Sequence, residues 1–137
     1  PIGDSDGPSP SPAVWEGIHR TIADEAAPGA ITVRADDHEW RIILPGVARK
    51  QLYRDAGAGW EAYLLKLSPG AVLPRHEHSG VEECYVVEGE TQMGTTHFRT
   101  GDFHLAPAGV HHPEITTEAG AVLYIRAPLH SEHETPR

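Results

Sequence analysis

The sequence predicts an all-β domain in which two antiparallel sheets pack together or one sheet closes into a barrel. From about residue 31 onward, short segments rich in Val, Ile, Leu, Tyr and Trp alternate with Pro, Gly or Asp at the spacing of strands and turns. No segment after residue 30 has a convincing helical period, so the helical crossovers of a parallel α/β sheet are not expected. A chain of 137 residues fits one such domain.

The N-terminal part is predicted to lie outside this domain. Residues 1–12 contain four prolines, two glycines and three serines, a composition that does not support a packed element. Over residues 13–27 apolar side chains recur every four positions and a Pro-Gly pair follows, which predicts a short helix. The expected division is a tail with this helix over 1–28, a barrel over 29–130 and a C-terminal tail over 131–137.

Ten strands are predicted in the chain after the tail, and Pro, Gly or Asp marks the turns between them. The strands are expected near 30–34, 39–44, 47–54, 60–67, 72–77, 82–88, 91–98, 102–106, 110–116 and 121–127. The turns are expected at Pro45-Gly46, Asp55-Ala56-Gly57, Ser68-Pro69-Gly70, Glu88-Gly89, Thr100-Gly101-Asp102, Pro107-Ala108-Gly109 and Ala119-Gly120. Closure of the sheet removes the exposed edges that an open antiparallel sheet would present.

Composition excludes several classes of function. The formal net charge is −9 and the eleven Lys and Arg residues are scattered, so a nucleic acid is not an expected partner. No apolar run approaches the roughly 20 residues that span a bilayer, and no stretch has the pattern of a secretory signal. A cytoplasmic location without membrane association is therefore predicted.

Ten histidines and one cysteine indicate which metal site the chain can build. With Cys84 alone, neither an internal disulfide nor a site with several thiolates can form within one chain. His76 and His78 are two residues apart, so on a strand both side chains point to one face. Two acidic residues follow at 82 and 83, and two more histidines at 111 and 112. Imidazole and carboxylate together suit zinc, iron, nickel, copper and manganese.

These two stretches resemble the two sequence motifs of the cupin superfamily. The first motif, G-x5-H-x-H-x3-E-x6-G, is matched by Gly70, His76, His78, Glu82 and Gly89. The second motif, G-x5-P-x-G-x2-H-x3-N, is matched by Gly101, Pro107, Gly109 and His112, whereas Thr116 replaces its final asparagine. The resemblance implies a jelly-roll barrel, also called a double-stranded β-helix or RmlC-like fold. It also implies that His76, His78, Glu82 and His112, rather than Glu83 and His111, hold one divalent metal ion.

Residues before the barrel are similar to those of a narrower group of cupins. These residues are Trp40, Gly46-Val47, Lys50, Leu52 and Asp55, and they resemble the C-terminal domain of ChrR-type anti-sigma factors. Members of that group bind zinc through three histidines and a glutamate. The resemblance therefore implies zinc first, with iron, nickel, manganese or copper as alternatives.

Five further residues are candidates to line the cavity or to support the metal ligands: His104, Tyr63, Cys84, Tyr124 and Arg126. For His104, a hydrogen-bonded structural role is the favoured interpretation, and for Cys84 a small buried side chain. Strand packing for Tyr124 and a surface ion pair for Arg126 are equally good interpretations.

Two functions from different classes remain open at this point. If the metal is redox-active, the resemblance to cupin dioxygenases implies an enzyme acting on a small oxygen-chelating substrate such as a diketone, enediol or flavonol, with Glu82 as ligand or general base. If it is zinc, four protein ligands complete a tetrahedral shell, and the protein is a metal-dependent sensor or regulatory module of ChrR type.

Further expectations concern partners. The anti-sigma factors in the resembling group carry a separate helical zinc domain that this sequence does not show, so complete anti-sigma function is not expected. A metal-free sugar-nucleotide epimerase of similar shape is disfavoured by the full ligand set. A small-molecule ligand and a homodimer are the expected partners.

Overall fold

The computed structural model describes residues 22–23, 27–37 and 39–129. These residues form strands and turns and contain no helix, and therefore none that could cross a membrane. Their strands are β1 (Ile22–Ala23), β2 (Ile31–Thr32), β3 (Arg41–Leu44), β4 (Val47–Asp55), β5 (Trp60–Leu67), β6 (Val72–Leu73), β7 (His76–Glu77), β8 (Glu82–Met93), β9 (Thr96–Arg99), β10 (Phe103–Ala106), β11 (His111–His112), β12 (Ile115–Thr116) and β13 (Ala121–Pro128).

Nine of these strands form one curled antiparallel sheet around β8. The order along the sheet is β3-β4-β5-β13-β8-β12-β6, and β9 and β10 also pair with β8. The first part of β8 lies between β13 and β10, and its last residues pair with β9 and β12. Separate two-stranded sheets are formed by β1 with β2 and by β7 with β11. The predicted all-β, cupin-type fold class is confirmed.

Strand alternation gives the sheet an apolar inner face. On β5, Tyr63, Leu65 and Leu67 are buried, while Lys66 between them is exposed. On β13 the inward set is Leu123, Ile125 and Ala127. Val47, Leu73, Val86 and Ile115 complete the centre of this core. Because β13 pairs with both β5 and β8, the core lies directly beside the first residues of β8.

A buried ion pair joins β4 to β5 inside the curled sheet. The guanidinium Nη2 of Arg49 lies 2.6 Å from Oε1 of Glu61, and both side chains are almost completely buried. The guanidinium also stacks 3.8 Å from the ring centroid of Tyr63. Since a buried charge without its partner is strongly destabilising, each member of this pair depends on the other.

The predicted turn at Glu88-Gly89 is wrong, because β8 continues through it to Met93 and the chain turns at Gly94-Thr95. Gly89 has a φ of +82°, and a Cβ added there would lie 2.0 Å from the carbonyl oxygen of Gly120. The pairing between β8 and β13 shifts register at this level, between Val122 and Leu123. The glycine therefore permits a close backbone approach at a bulge, where the sequence pattern indicated a turn.

The predicted strands 72–77 and 110–116 are each divided in two. Pro74 separates β6 from β7, and Pro113 separates β11 from β12, since proline has no N–H to donate to a ladder. These two breaks allow β7 and β11 to pair with each other outside the main sheet.

The predicted N-terminal helix is wrong where the structure describes it. Ile22–Ala23 is a strand that pairs with Ile31–Thr32. The rest of the predicted helix, residues 13–21 and 24–26, lies outside the described residues. The predicted division of the chain into tails and barrel stays a prediction.

Candidate metal centre

The small sheet of β7 and β11 brings the two histidine motifs together. His76 on β7 is the direct Cα partner of His112 on β11. Beyond this pair, the backbone N–H of Gly109 donates to the carbonyl of His78 at 2.9 Å, and the N–H of His78 donates to that of Val110 at 3.4 Å. Glu82 is the first residue of β8, four positions after His78. Two segments more than 30 residues apart in sequence thus meet at one end of the core.

Four side chains converge at this point with ligating atoms close together. One nitrogen or oxygen from each of His76, His78, Glu82 and His112 lies within 4.8 Å of the others. Nδ1 of His78 is 3.1 Å from Oε2 of Glu82, and Nε2 of His78 is 3.2 Å from Nδ1 of His112. His78, Glu82 and His112 are buried, and His76 is half-buried. The sequence-predicted ligand set is therefore brought together, and its binding of a metal stays a prediction.

The donor set fits a divalent transition metal. Bonds of about 2.1 Å in a tetrahedral site place neighbouring ligand atoms about 3.4 Å apart. The contacts of His78 with Glu82 and with His112, at 3.1 and 3.2 Å, are close to this value, whereas the widest separation in the cluster, up to 4.8 Å, has to contract on metal binding. His76 is oriented by a contact of 3.0 Å between its Nδ1 and the carbonyl oxygen of Pro74. A backbone carbonyl on one ring nitrogen is the usual support of a ligand histidine.

Burial keeps His112 in the form that a metal requires. Burial first, and then the nearby His78 and His76, lower the pKa of His112 from 6.5 to about 4. Its imidazole is therefore neutral at pH 7 and retains a lone pair for coordination. Burial also lowers the pKa of His104.

The Cys84 side chain faces the same interior, and its thiol is unreactive. Burial, assisted by the charge of Glu82, raises the pKa of the Cys84 thiol to about 12. A neutral thiol is neither a good ligand nor a nucleophile. The placement agrees with the predicted small inward-facing side chain.

An apolar cavity extends from the cluster into the core. The empty space in and above it amounts to about 420 Å³ when the open solvent at its mouth is counted. Its lining comprises Leu65, Leu73, Glu82, Cys84, Val86, Thr91, Met93, Phe98, Asp102, His104, His112, Ile115, Leu123 and Ile125. The lining thus includes two proposed ligands, Glu82 and His112, and the predicted cavity residues His104 and Cys84. Most of the other lining side chains are aliphatic or aromatic.

Three predicted cavity residues lie elsewhere. Tyr124 and Arg126 alternate with the inward residues of β13, so they point outward, and the prediction that they line the cavity is wrong. Arg126 instead forms the alternative surface ion pair, with Nη1 3.1 Å from Oε2 of Glu83. Tyr63 points inward but is fully buried under Arg49 and is not in the cavity lining.

Sequence reasoning missed Phe98 and the ion pair of Arg49 with Glu61. Phe98 lies on β9 and contacts His104 edge-on, with ring centroids 5.3 Å apart. The sequence analysis placed a turn at Gly89 instead of at Gly94-Thr95, so it did not identify the hairpin of β8 and β9 that positions Phe98. Alternation along β5 could have found Glu61, because it shares the facing of Tyr63 and Leu65.

Comparisons with known proteins give one family and one recurring fold. Residues 28–135 match the family model described as the ChrR cupin-like domain. The anti-sigma-E factor ChrR of Cereibacter sphaeroides is 30% identical over 97 residues, which are 68% of this chain and 45% of ChrR. The chain therefore spans less than half the length of that relative.

Solved structures show the same fold. In the complex of Rhodobacter sphaeroides SigE with the anti-sigma ChrR, the match has 23% identity and a TM-score of 0.60 and covers 92% of this chain and 60% of the other. An acetylacetone dioxygenase from Acinetobacter johnsonii matches with 11% identity and a TM-score of 0.66, covering 78% and 79%. At these identities the likeness concerns the fold alone.

Proposed function

Because the chain belongs to the ChrR cupin-like domain family, we propose that it is a metal-dependent regulatory module that holds one divalent ion, zinc in the first place. The ligands are His76, His78, Glu82 and His112. The observation that carries the proposal is the convergence of three imidazoles and one carboxylate within 4.8 Å, with three of the four side chains buried. Zinc with four protein ligands has a closed shell, which suits a structural or regulatory ion.

The position of the cluster supports a regulatory role. Its residues come from β7 and the position directly after it, from β8 and from β11, and only two residue pairs join β7 to β11. An ion held by all three segments adds a cross-link where the backbone pairing is only two residues long. Loss of the ion then loosens this end of the domain and leaves the large sheet paired, which is how metal occupancy can be transmitted to a partner.

A protein is the proposed partner of such a module. The matched ChrR structure is a complex with SigE, so a sigma factor is the partner class that this likeness favours. The outer face of β8 and β10 offers a contact surface of exposed apolar side chains, namely Tyr85, Val87, Phe103 and Leu105. The homodimer expected from the family resemblance is a second use of this surface.

A dioxygenase-type enzyme is the second candidate, and the cavity is the observation that favours it. The cavity reaches Glu82, His104 and His112 and is otherwise lined mainly by apolar side chains. Such a lining suits a small substrate with an apolar body and one chelating group, which favours a diketone over a polyhydroxylated flavonol. In this reaction the substrate would chelate the metal, the metal would supply the redox chemistry, and Glu82 would serve as ligand or general base.

Metal content tests the main proposal. Protein purified without a tag is expected to contain about one zinc per chain by elemental analysis, and His112→Ala is expected to lose most of it. His111→Ala is the matched control, because His111 is exposed and adjacent in sequence. A wild-type chain that neither contains nor takes up zinc contradicts the proposal.

Oxygen uptake separates the two candidates. After iron loading, the protein is mixed with acetylacetone or another 1,3-diketone in an oxygen-electrode cell. The regulatory module is expected to show no uptake above that of His112→Ala. Turnover that disappears in this variant but persists in His111→Ala would establish the enzyme instead.

A further inference from the structure

The outer edge of β10 is an unpaired edge of the main sheet. Among the described residues, β10 (Phe103–Ala106) pairs with β8 alone, so its other edge faces away from the sheet. Phe103 and Leu105 are 55% and 47% exposed, and the adjoining residues 100–102 and 107–110 are also exposed. An exposed strand edge is a template for pairing with another chain.

The hydrogen bonds to β8 show which backbone groups of β10 point outward. The N–H of Val86 donates to the carbonyl of Asp102 at 3.0 Å, so this carbonyl faces β8. Backbone groups alternate between the two edges of a strand, and the pairing over 103–106 has no register shift. The N–H and C=O groups of Phe103 and Leu105 therefore point to the free edge, and those of the residues between and after them point to β8.

These outward groups match those of a second copy of the same strand. If two β10 strands run antiparallel with His104 opposite His104, then Phe103 of each copy lies opposite Leu105 of the other. Residues paired in this way exchange both N–H···O bonds, and their side chains point to the same face, so each phenyl ring packs against a leucine. We propose that two copies of this chain associate through the outer edges of β10.

The charges at the two edges of the sheet favour β10 over β3. In the register proposed, Asp102 lies opposite Ala106 of the second copy, so no two like charges face each other. The edge formed by β3 carries Arg41, and its pairing with β4 shifts register. Charged side chains and bulges both discourage the pairing of edge strands.

A dimer of this kind is expected to be weak and to leave the outer faces of the sheets available. The contact of one strand edge lies below the roughly 1,200 Å² that separates transient from stable interfaces. Tyr85 and Val87 on the outer face of β8 stay exposed and can still contact a protein partner. Because β10 carries none of the proposed ligands, the inference goes beyond the proposed function and does not depend on metal binding.

Sedimentation velocity tests the association over about 10 μM to 1 mM protein. The wild type is expected to pass from monomer to dimer. Leu105→Pro removes a backbone N–H that points to the free edge, and Leu105→Lys places a charge there, so each should weaken the dimer at least about tenfold. Ile42→Lys is the control, because Ile42 is 70% exposed on the opposite edge, and it should stay within about twofold of wild type.

Hydrogen exchange identifies the edge that is used. The amides of Phe103 and Leu105 are expected to exchange more slowly as the protein concentration rises, whereas those of His104 and Ala106 are protected throughout by β8. The two pairs of amides lie in one strand, so each experiment contains its own control.

Three results would overturn the inference. The first is a wild type that remains monomeric at the highest concentration. The second is a dimer that Ile42→Lys disrupts or in which the amides of Phe103 and Leu105 do not slow. The third is protection of these two amides in the monomer, which would mean that another part of the chain covers the edge. If Leu105→Pro does not fold, Leu105→Lys decides, and the zinc content of the same samples tests the metal proposal separately.

Discussion

The ionisation of Glu90 is tied to the fold by several hydrogen bonds. Its Oε1 accepts hydrogen bonds from the backbone N–H groups of Glu118 and Ala119 at 2.9 and 3.0 Å and from the hydroxyl of Thr117 at 3.1 Å. Its Oε2 is 3.0 Å from Nε2 of His97. The backbone donors, Ala119 first, lower the pKa of Glu90 from 4.5 to about 2. One carboxylate thus connects β8 to the turn that precedes β13.

Replacing Glu90 with Gln is expected to reduce stability in a pH-dependent way. The neutral amide loses the charge-assisted bonds, so the free energy of unfolding at pH 7 should fall by about 1–2 kcal/mol. Because the pKa is lower in the folded state, the contribution of Glu90 is present above about 4.5 and is lost as the pH falls towards about 2. Urea denaturation at pH 7 and at pH 3 measures the difference, with Glu88→Gln as the exposed control. A deficit that is equally large at both pH values would contradict this explanation.

At the scale of single residues, the sequence predicted the proposed ligands better than the cavity lining. His76, His78 and Glu82 are close in sequence, so strand alternation alone constrains their directions. For Tyr124 and Arg126, strand alternation requires both side chains to point to the same side of β13, but it does not say whether that side is the interior or the solvent. The deciding signal was the apolar set Leu123, Ile125 and Ala127, which occupies the inner face.

At the scale of elements, the close approach of β8 and β13 at Gly89 predicts that replacing this glycine with alanine costs more stability than the same replacement at Gly101. Gly89 and Gly101 both have positive φ, but only Gly89 has backbone atoms where a Cβ would be placed. Gly101→Ala is expected to cost about 1–2 kcal/mol from its conformation alone. Gly89→Ala must also displace Gly120 and Ala121, so we expect a loss of at least about 3 kcal/mol. Thermal or urea unfolding compares the two variants, and equal losses would show that the close approach relaxes at little cost.

Proline and glycine were informative about elements only in part. Pro74 and Pro113 divide strands that the hydrophobic pattern predicted to be continuous, because the pattern records burial and not hydrogen-bond donors. Gly89 was read as a turn although it lies inside the longest strand. Glycine occurs both in turns and at bulges, and only the approaching segment, here Gly120 and its neighbour Ala121, distinguishes the two cases.

For the whole molecule, the sequence was sufficient for the fold class, since short strands without helices leave few antiparallel solutions. It could not supply contacts between distant strands. The buried pair of Arg49 with Glu61 and the contact of Phe98 with His104 both depend on the register of the curled sheet. That register is set by packing over the full domain.

The last prediction concerns the coupling of metal binding to the stability of the whole domain. The proposed ligands come from β7 and the position directly after it, from β8 and from β11. The folded chain brings them together, so the ion should bind the folded state preferentially. Zinc at about 100 times its dissociation constant then adds about 2.7 kcal/mol to the free energy of unfolding. For a domain of this size, that corresponds to a rise in the thermal midpoint on the order of 10 °C.

Hydrogen exchange shows where the stabilisation acts. The amides of His78 and Gly109, which pair the two motif segments, are expected to gain the most protection from exchange on zinc binding. Amides that pair β5 with β13 are expected to gain only the protection that corresponds to the increase in global stability. His78→Ala should abolish both the midpoint shift and the local protection, and His111→Ala should retain them. Zinc that binds without raising the midpoint would mean that the four side chains also bind it in the unfolded chain, and the regulatory proposal would then lose its physical basis.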